Sequence, residues 1–149
     1  MSQITPFMSD DHRRCDRLFA TAEEAAAHGD PSTCHTRFQA FQSAMEQHFA
    51  MEEQVLFPAF EDATGNRMGP TRVMCLEHQQ MREVLAALAE ALAASDLDDY
   101  LGQAETLLIL MQQHNIKEEQ MLYPMSDRAL SHREAVLQAM QQLQTVSPT

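Results

Sequence analysis

A stretch of eleven residues occurs twice in this chain, with its key residues at the same spacing. The first copy is His48-Phe-Ala-Met-Glu-Glu-Gln-Val-Leu-Phe-Pro58, and the second is His114-Asn-Ile-Lys-Glu-Glu-Gln-Met-Leu-Tyr-Pro124, an offset of 66 positions. The same offset carries His12 onto His78. A repeat that keeps histidines, glutamates and prolines while the residues between them change indicates a duplicated site. We therefore expect two equivalent halves that bring these residues together.

The composition predicts one soluble helical domain over residues 1–149. Ala, Leu, Met, Gln and Glu dominate the sequence, and all of them favour helix. The net charge of -12 suits uptake of cations and argues against binding to nucleic acid or to an anionic membrane. Three cysteines without a CxxC pair favour a reducing compartment. Together with the lack of a signal-peptide pattern or a long apolar segment, this predicts a cytoplasmic protein.

Apolar residues recur at helical spacing in five segments, which are separated by clusters of Gly, Pro, Ser and Asp. The predicted helices cover residues 6–28, 31 to about 58, 70 to about 94, 97–124 and 132–144. Alternating patterns that would indicate strands do not occur over a useful length. We therefore predict an all-α fold, an up-down-up-down four-helix bundle with a short fifth helix across it. The bundle would be a duplicated helical hairpin, with repeats at 6–62 and 70–128.

Individual residues predict where these helices begin and end. Thr5 and Asp30 are each followed by proline, which is the pattern of an N-cap and a first helical position. Pro58 and Pro124 each lack a backbone donor, so the second and fourth helices should kink or end there. Residues 146–149 are expected to form a frayed tail.

Histidine and glutamate stand four residues apart on the second and fourth helices. His48 and Glu52, and likewise His114 and Glu118, are about 40° apart around a helix axis and so project from one face. A single pair of this kind is a weak signal, because many helices carry it as a surface ion pair. Buried histidines and carboxylates, in contrast, need hydrogen bonds, ion pairs or a metal.

The repeat supplies one histidine from each of the four long helices. With the two glutamates they make six candidate metal ligands, namely His12, His48, Glu52, His78, His114 and Glu118. Nitrogen and carboxylate donors between four helices favour a pair of first-row metal ions, and iron is the metal we expect. A glutamate has two oxygens and can bridge the two ions. Taken alone, His12 or His78 would more simply be the partner of a carboxylate. Three histidines without counterparts are expected on the surface, at positions 28, 35 and 132.

Other residues near the candidate ligands have simpler interpretations. The methionines one turn before each histidine should line a cavity beside the metals as flexible apolar filler, at Met8, Met45, Met74 and Met111. Val55 and Met121 should share the inward face with the glutamates. Glu53 and Glu119 fall about 140° from their histidines, which favours a surface or outer position over ligation.

The pattern resembles the hemerythrin-like, or HHE cation-binding, family, over the chain from about residue 7 to residue 124. The matching motifs are Asp11-His12-Arg13, His48-x-x-x-Glu52, Glu77-His78 and His114-x-x-x-Glu118. The resemblance implies a left-handed four-helix bundle around two iron ions, a non-haem di-iron centre with an oxo or hydroxo bridge. It also implies which residues serve each ion: His12 and His48 for one, His78 and His114 for the other, and Glu52 and Glu118 as bridges.

Two positions depart from the oxygen-carrying members of that family. Those members have a further histidine one turn before the third-helix ligand, where this chain has Met74. They also place an aspartate five residues after the fourth-helix histidine, where this chain has Glu119, but Glu118 aligns better with the repeat. The set of four histidines and two glutamates is closer to iron-centre repair proteins and to iron- and oxygen-sensing members. The cysteine-bearing N-terminal domain of the repair proteins has no counterpart in this sequence.

Three functions follow from this pattern. The first is a di-iron protein that binds a small ligand such as dioxygen, nitric oxide or peroxide, for sensing, storage or protection. The second is a redox enzyme acting on such molecules, or an iron donor in the repair of iron centres. The third is a helical partner-binding protein that holds no metal.

Overall fold

The computed structural model describes residues 3–145, and the tail predicted at 146–149 lies outside the described residues. Its α-helices are α1 (Ile4–Ala27), α2 (Pro31–Met51), α3 (Phe57–Thr64), α4 (Pro70–Ala93), α5 (Leu97–Lys117), α6 (Tyr123–Ala129) and α7 (Arg133–Thr145). A first π turn (Glu52–Leu56) joins α2 to α3, and a second π turn (Glu118–Leu122) joins α5 to α6. No strand occurs within residues 3–145. The predicted all-α bundle with a short C-terminal helix is confirmed.

The two halves of the bundle match position for position. Helices α4 and α5 begin and end 66 residues after α1 and α2, and the two π turns keep the same offset. Each half is a hairpin in which α1 packs along α2, or α4 along α5. The hairpins meet where α1 packs against α5 and α2 packs against α4. Helix α7 lies against α2 and the first π turn.

The turn inside each hairpin is also repeated. Gly29 and Ser95 both have left-handed backbone angles, with φ of 74° and 55°. After each of them an aspartate caps the next helix, since Asp30 accepts a hydrogen bond from the Thr33 N–H and Asp96 accepts one from the Asp99 N–H. The predicted cap at Asp30 is therefore confirmed.

The start of α1 differs from the prediction. The helix begins at Ile4, and the side chain of Thr5 does not act as its cap. Instead, the carboxylate of Asp127 accepts hydrogen bonds from the Ile4 N–H at 2.7 Å and from the Thr5 N–H at 3.1 Å. It also accepts one from the Thr5 hydroxyl at 2.7 Å. A residue from the end of the second half thus satisfies the free donors of the first helix.

The prolines follow the π turns, and the helices continue beyond them. Pro58 and Pro124 each occupy the second position of the α-helix that resumes, so the prediction that they end their helices is wrong. The N–H of Phe57 bonds to the carbonyl of Glu52, five residues back, and the N–H of Tyr123 bonds equivalently in the second half. The missing proline donor falls where the hydrogen-bond pattern is changing, and the helix tolerates it.

Each π turn also rotates the residues that follow its glutamate. Met121 is 60% exposed, so its predicted place on the inward face is wrong, whereas Val55 is half-buried and packs against the apolar core. Phe57 and Tyr123 are buried instead. A π turn takes more residues per turn than an α-helix, and this shifts the inward positions along the chain.

The apolar core forms two clusters. The larger cluster contains Cys15, Met45, Met81 and Met111, and the smaller one contains Met8, Met51, Met74 and the buried residues of α7. The four methionines that precede the histidines therefore do not share one cavity, as the sequence had suggested. Neighbouring helices run in opposite directions. A methionine one turn before its histidine therefore lies towards one end of the bundle on α1 and towards the other end on α2. No helix among residues 3–145 has the length and apolar character to cross a membrane.

Candidate metal centre

The six sequence-predicted ligands meet in one buried layer. None of them is more than 4% exposed, and both glutamates are fully buried. They form two groups that could each hold a metal ion, Glu52, His78, His114 and Glu118 in one and His12, His48 and Glu118 in the other. Within each group the ligand atoms lie within 4.8 Å of one another. The three other histidines, at positions 28, 35 and 132, are exposed, as predicted.

Glu118 belongs to both groups. Its Oε1 lies 2.9 Å from His12 Nε2, and its Oε2 lies 3.3 Å from His114 Nε2. Two ligand atoms that are each about 2.1 Å from one ion can be at most about 4.2 Å apart. Each oxygen is therefore close enough to share an ion with the histidine that it faces, and one carboxylate can reach both ions.

Glu52 also approaches histidines of both halves. Its Oε1 lies 3.0 Å from His78 Nε2 and 3.5 Å from His48 Nε2. Its Oε2 lies 2.7 Å from the hydroxyl of Tyr123. One oxygen of Glu52 thus faces a histidine from each half, while the other accepts a hydrogen bond.

A further carboxylate orients each histidine from its outer side. The contacts join a carboxylate oxygen to Nδ1 at 2.6–2.8 Å, and the pairs are Glu119–His12, Asp11–His48, Glu53–His78 and Glu77–His114. An Nδ1–H that donates outward leaves Nε2 directed inward, where it can bind a metal once it is deprotonated. Glu53 and Glu119 were expected at outer positions, and this contact defines what they do there.

Sequence reasoning missed the role of Asp11 and Glu77. Each precedes a candidate ligand in the chain, but each bonds to the histidine of the neighbouring helix, His48 or His114. Their shared offset of 66 residues was the available signal. Further side chains hold them in place. Arg14 Nε donates to Asp11 at 2.8 Å, and the Lys117 ammonium donates to Glu77.

Tyr123 is the third residue of the site that sequence reasoning missed. Its fully buried hydroxyl lies 2.7 Å from Glu52 Oε2 and 2.9 Å from Glu118 Oε1. It also lies 3.1 Å from His12 Nε2 and 3.3 Å from His48 Nε2. The repeat aligns Tyr123 with Phe57, so in the sequence only its hydroxyl distinguished it from its counterpart.

The buried charges of the metal-free protein stabilise one another. Burial would lower the pKa of His48, but the charge of Glu52 and the hydrogen bond to Asp11 raise it well above its usual value. Burial would likewise raise the pKa of Glu118, yet the charge of His114 and nearby hydrogen bonds hold it well below its usual value. Protonated histidines therefore supply the positive charge that balances the glutamates.

Two atoms of the site have bonding capacity that a cation could satisfy. His114 Nε2 and Glu118 Oε2 are buried, face each other at 3.3 Å, and have no hydrogen-bond partner among the described residues. Buried polar atoms are rarely left in this state. Imidazole nitrogen and carboxylate oxygen are donors that bind first-row metals, so the residues present fit a metal ion.

A match to a known family agrees with this arrangement. Residues 3–126 match the model of the hemerythrin HHE cation-binding domain. The chain belongs to this family. Neither a curated protein nor a solved structure shows significant similarity to it. In this hemerythrin-like domain, the buried histidine and glutamate groups are thus the residues that could bind the cation.

A small enclosed cavity adjoins the histidines on the side of the larger core cluster. Its lining residues are His12, Cys15, Met45, His48, Phe49, Met81, Met111, His114 and Asn115. The space admits about one water-sized molecule. Met45 and Met111 line it as predicted, whereas Met8 and Met74 do not. Its apolar wall and its size suit a small uncharged molecule.

Proposed function

We propose that this hemerythrin-like domain binds two iron ions as a non-haem di-iron centre and uses them to bind a small ligand. His12 and His48 would hold one ion, and His78 and His114 the other, with Glu52 and Glu118 shared. The observation that carries this proposal is the position of Glu118, whose two oxygens face histidines of opposite halves.

The iron pair, when bound, would supply a Lewis-acid and redox centre. The chain's own residues prepare for it. The outer carboxylates fix each imidazole through Nδ1, and the inward Nε2 atoms release their protons as metal binds. The charge of the two cations would then replace the charge of the protonated histidines in balancing the buried glutamates.

The cavity beside the histidines favours a small uncharged ligand of the size of dioxygen or nitric oxide. Sulfur-containing and aromatic side chains form most of its wall, so bulk water is excluded. Sensing, storage or protection would each need such a pocket. The cytoplasmic location of the protein stays a prediction from the sequence. Peroxide would fit less easily because it carries two hydrogen-bond donors into an apolar space.

A redox enzyme is the second candidate, and Tyr123 favours it. Its hydroxyl lies within 3.3 Å of two inward histidine nitrogens and two glutamate oxygens. It could therefore donate a proton in the reduction of nitric oxide or peroxide. Such turnover would need electrons from an outside donor, and the same requirement applies to repair of iron centres.

Metal analysis tests the di-iron proposal. Protein produced with abundant iron should contain two ions per chain, and His48→Ala or His114→Ala should lose one ion or both. His35→Ala, which changes an exposed histidine, should keep both ions. One ion or none in the unaltered protein would remove the dinuclear proposal.

Spectra of the reduced, iron-loaded protein separate the two functions. A reversible adduct with dioxygen or nitric oxide supports a binding protein. Continued consumption of nitric oxide or peroxide in the presence of a chemical reductant supports an enzyme. Spectra that stay unchanged with all three molecules would contradict both.

A further inference from the structure

Equivalent positions outside His12 and His78 carry residues of different chemistry. The repeat aligns Phe49 with Asn115, and it aligns Arg82 with Asp16. The aromatic ring and the cation, which lie on the His78 side, thus correspond to an amide and an anion on the His12 side. The two halves agree in their inner ligands and differ in what separates those ligands from solvent.

His78 is closed off from solvent. The ring of Phe49 stacks on it at a centroid distance of 4.1 Å, and the ring of Phe57 stacks at 5.8 Å. The Arg82 guanidinium lies 4.9 Å from the centre of the Phe49 ring and donates hydrogen bonds to Glu53 at 2.9 and 3.0 Å. The guanidinium also donates to Glu46, so the carboxylates on this side are paired with a cation, and an approaching metal ion would have to displace a packed ring.

The surroundings of His12 are polar and more open. Asn115 is half-buried at the position equivalent to Phe49, and Asp16 is exposed at the position equivalent to Arg82. The side chain of Glu119, which bonds to His12 Nδ1, is 36% exposed, against 27% for Glu53 in the other half. Partial burial and the charge of Glu119 raise the pKa of Asp16, although the nearby His12 opposes this, so the two carboxylates act on each other.

The charge on this side is negative. The guanidinium of Arg13 bonds to Asp10 and is 59% exposed. Three carboxylates therefore accompany one arginine here, whereas Glu53 has an arginine bonded directly to it. A negatively charged opening raises the local concentration of cations.

Asn115 lies between this face and the inner ligands. It is half-buried and lines the enclosed cavity beside the histidines together with His12 and His114. The buried Nε2 of His114 faces Glu118 Oε2 at 3.3 Å and has no hydrogen-bond partner among the described residues, which suits a cation at the inner end. On this side an amide therefore stands where the other side has a packed aromatic ring, with carboxylates outside it and a cation-binding nitrogen inside.

We infer that Asp16, Asn115 and Glu119 form a port through which a divalent cation enters and leaves the centre. We further infer that the ion held by His12 and His48 exchanges more readily than the ion held by His78 and His114. This inference rests on the proposed two-ion centre. It adds an entry route and an unequal stability of the two positions, and neither follows from the ligand set.

Release of iron to a chelator tests the inference. Protein loaded with two ferrous ions under anaerobic conditions is mixed with an excess of a chelator that forms a coloured ferrous complex. We expect two phases of equal amplitude, with the His12 and His48 ion leaving first. A single phase in which both ions leave together would overturn the unequal exchange.

Swapping residues between the halves identifies the route. Around His12, Asp16→Arg and Asn115→Phe introduce the residue types that surround His78, and each should slow ferrous loading by about tenfold or more. Arg82→Asp should accelerate the slow phase of release. Glu105→Arg makes the same charge change as Asp16→Arg on an exposed helical position away from the port, and should leave both phases unchanged.

Two further measurements keep the test decisive. If Asn115→Phe fails to fold, Asn115→Leu and Asp16→Asn replace the larger changes, with melting curves as the check on folding. Rising ionic strength should slow loading of the unaltered protein and have less effect on Asp16→Arg. Port variants that load at the rate of Glu105→Arg would overturn the route, whereas a failure to bind two ions at equilibrium would refute the proposed function itself.

Discussion

The hydroxyl of Tyr123 lies 2.7 Å from Oε2 of Glu52, so a residue of the second half bonds to a candidate ligand of the first. The same hydroxyl is 3.1 Å from His12 Nε2 and 3.3 Å from His48 Nε2. It occupies space among atoms that would surround a cation. A cation bound by these atoms must therefore break the hydrogen bonds that the hydroxyl makes in the metal-free protein.

Tyr123→Phe should increase the stabilisation that metal binding produces. The change removes a donor from buried charged groups, which should cost the metal-free protein about 1–3 kcal/mol. The loaded protein should lose less, because the cation has already replaced those bonds. Melting temperatures with and without metal should therefore differ more in the variant. Tyr100→Phe alters the other tyrosine, in the larger core cluster, and serves as the control. An equal metal-induced rise in Tyr123→Phe and in the unaltered protein would contradict this account.

Removing an outer carboxylate should weaken metal binding while leaving all six ligands in place. Asp11→Asn frees the His48 ring from its anionic partner, and Glu77→Gln does the same for His114. Loss of such partners typically costs about 10–100-fold in metal affinity. Competition with a chelator of known affinity measures the change. Asp10→Asn alters an exposed neighbour, and an affinity equal to that of this control would show that the outer carboxylates do not contribute.

The repeat made the six ligands and the bundle predictable from the sequence. Identical spacing in two halves fixes which helix faces meet, so the burial of His12 and His78 followed without any tertiary information. The cap at Asp30 was equally local, because its carboxylate bonds to a backbone donor three residues away.

The features that the sequence did not reveal depend on distant contacts or on a change of helical period. Asp127 bonds to the start of α1 from more than 120 residues away, and no local pattern marks it. The π turns shift the inward positions beyond each glutamate, so a constant α-helical period placed Met121 inside and left Tyr123 unnoticed. Both π turns stand between a candidate ligand and a proline, and that combination is the local signal that could have indicated them.

The pH dependence of stability should differ between the metal-free and the loaded protein. Burial lowers the pKa of the four inward histidines, but their carboxylate partners outweigh it and raise the pKa above the ordinary 6.5. A raised folded-state pKa stabilises the protein fully below the unfolded value, and this contribution is lost as the pH rises through the folded value. Asp11 and Glu53 behave oppositely: burial raises each pKa, but the hydrogen bonds and charges of a neighbouring histidine and arginine together outweigh it and lower each pKa to about 2. Their contribution is present above the unfolded values and is lost as the pH falls towards about 2.

Raising the pH above neutrality should therefore lower the melting temperature of the metal-free protein. The loaded protein should not lose stability in the same range, because a metal binds the neutral imidazoles and competes with protons, so its affinity increases with pH. Melting curves of both forms from about pH 5 to pH 9 measure the gap, which should widen as the pH rises. His35→Gln removes an exposed histidine and should leave both curves unchanged. If the two forms lose stability in parallel above neutrality, the metal does not displace protons from these histidines.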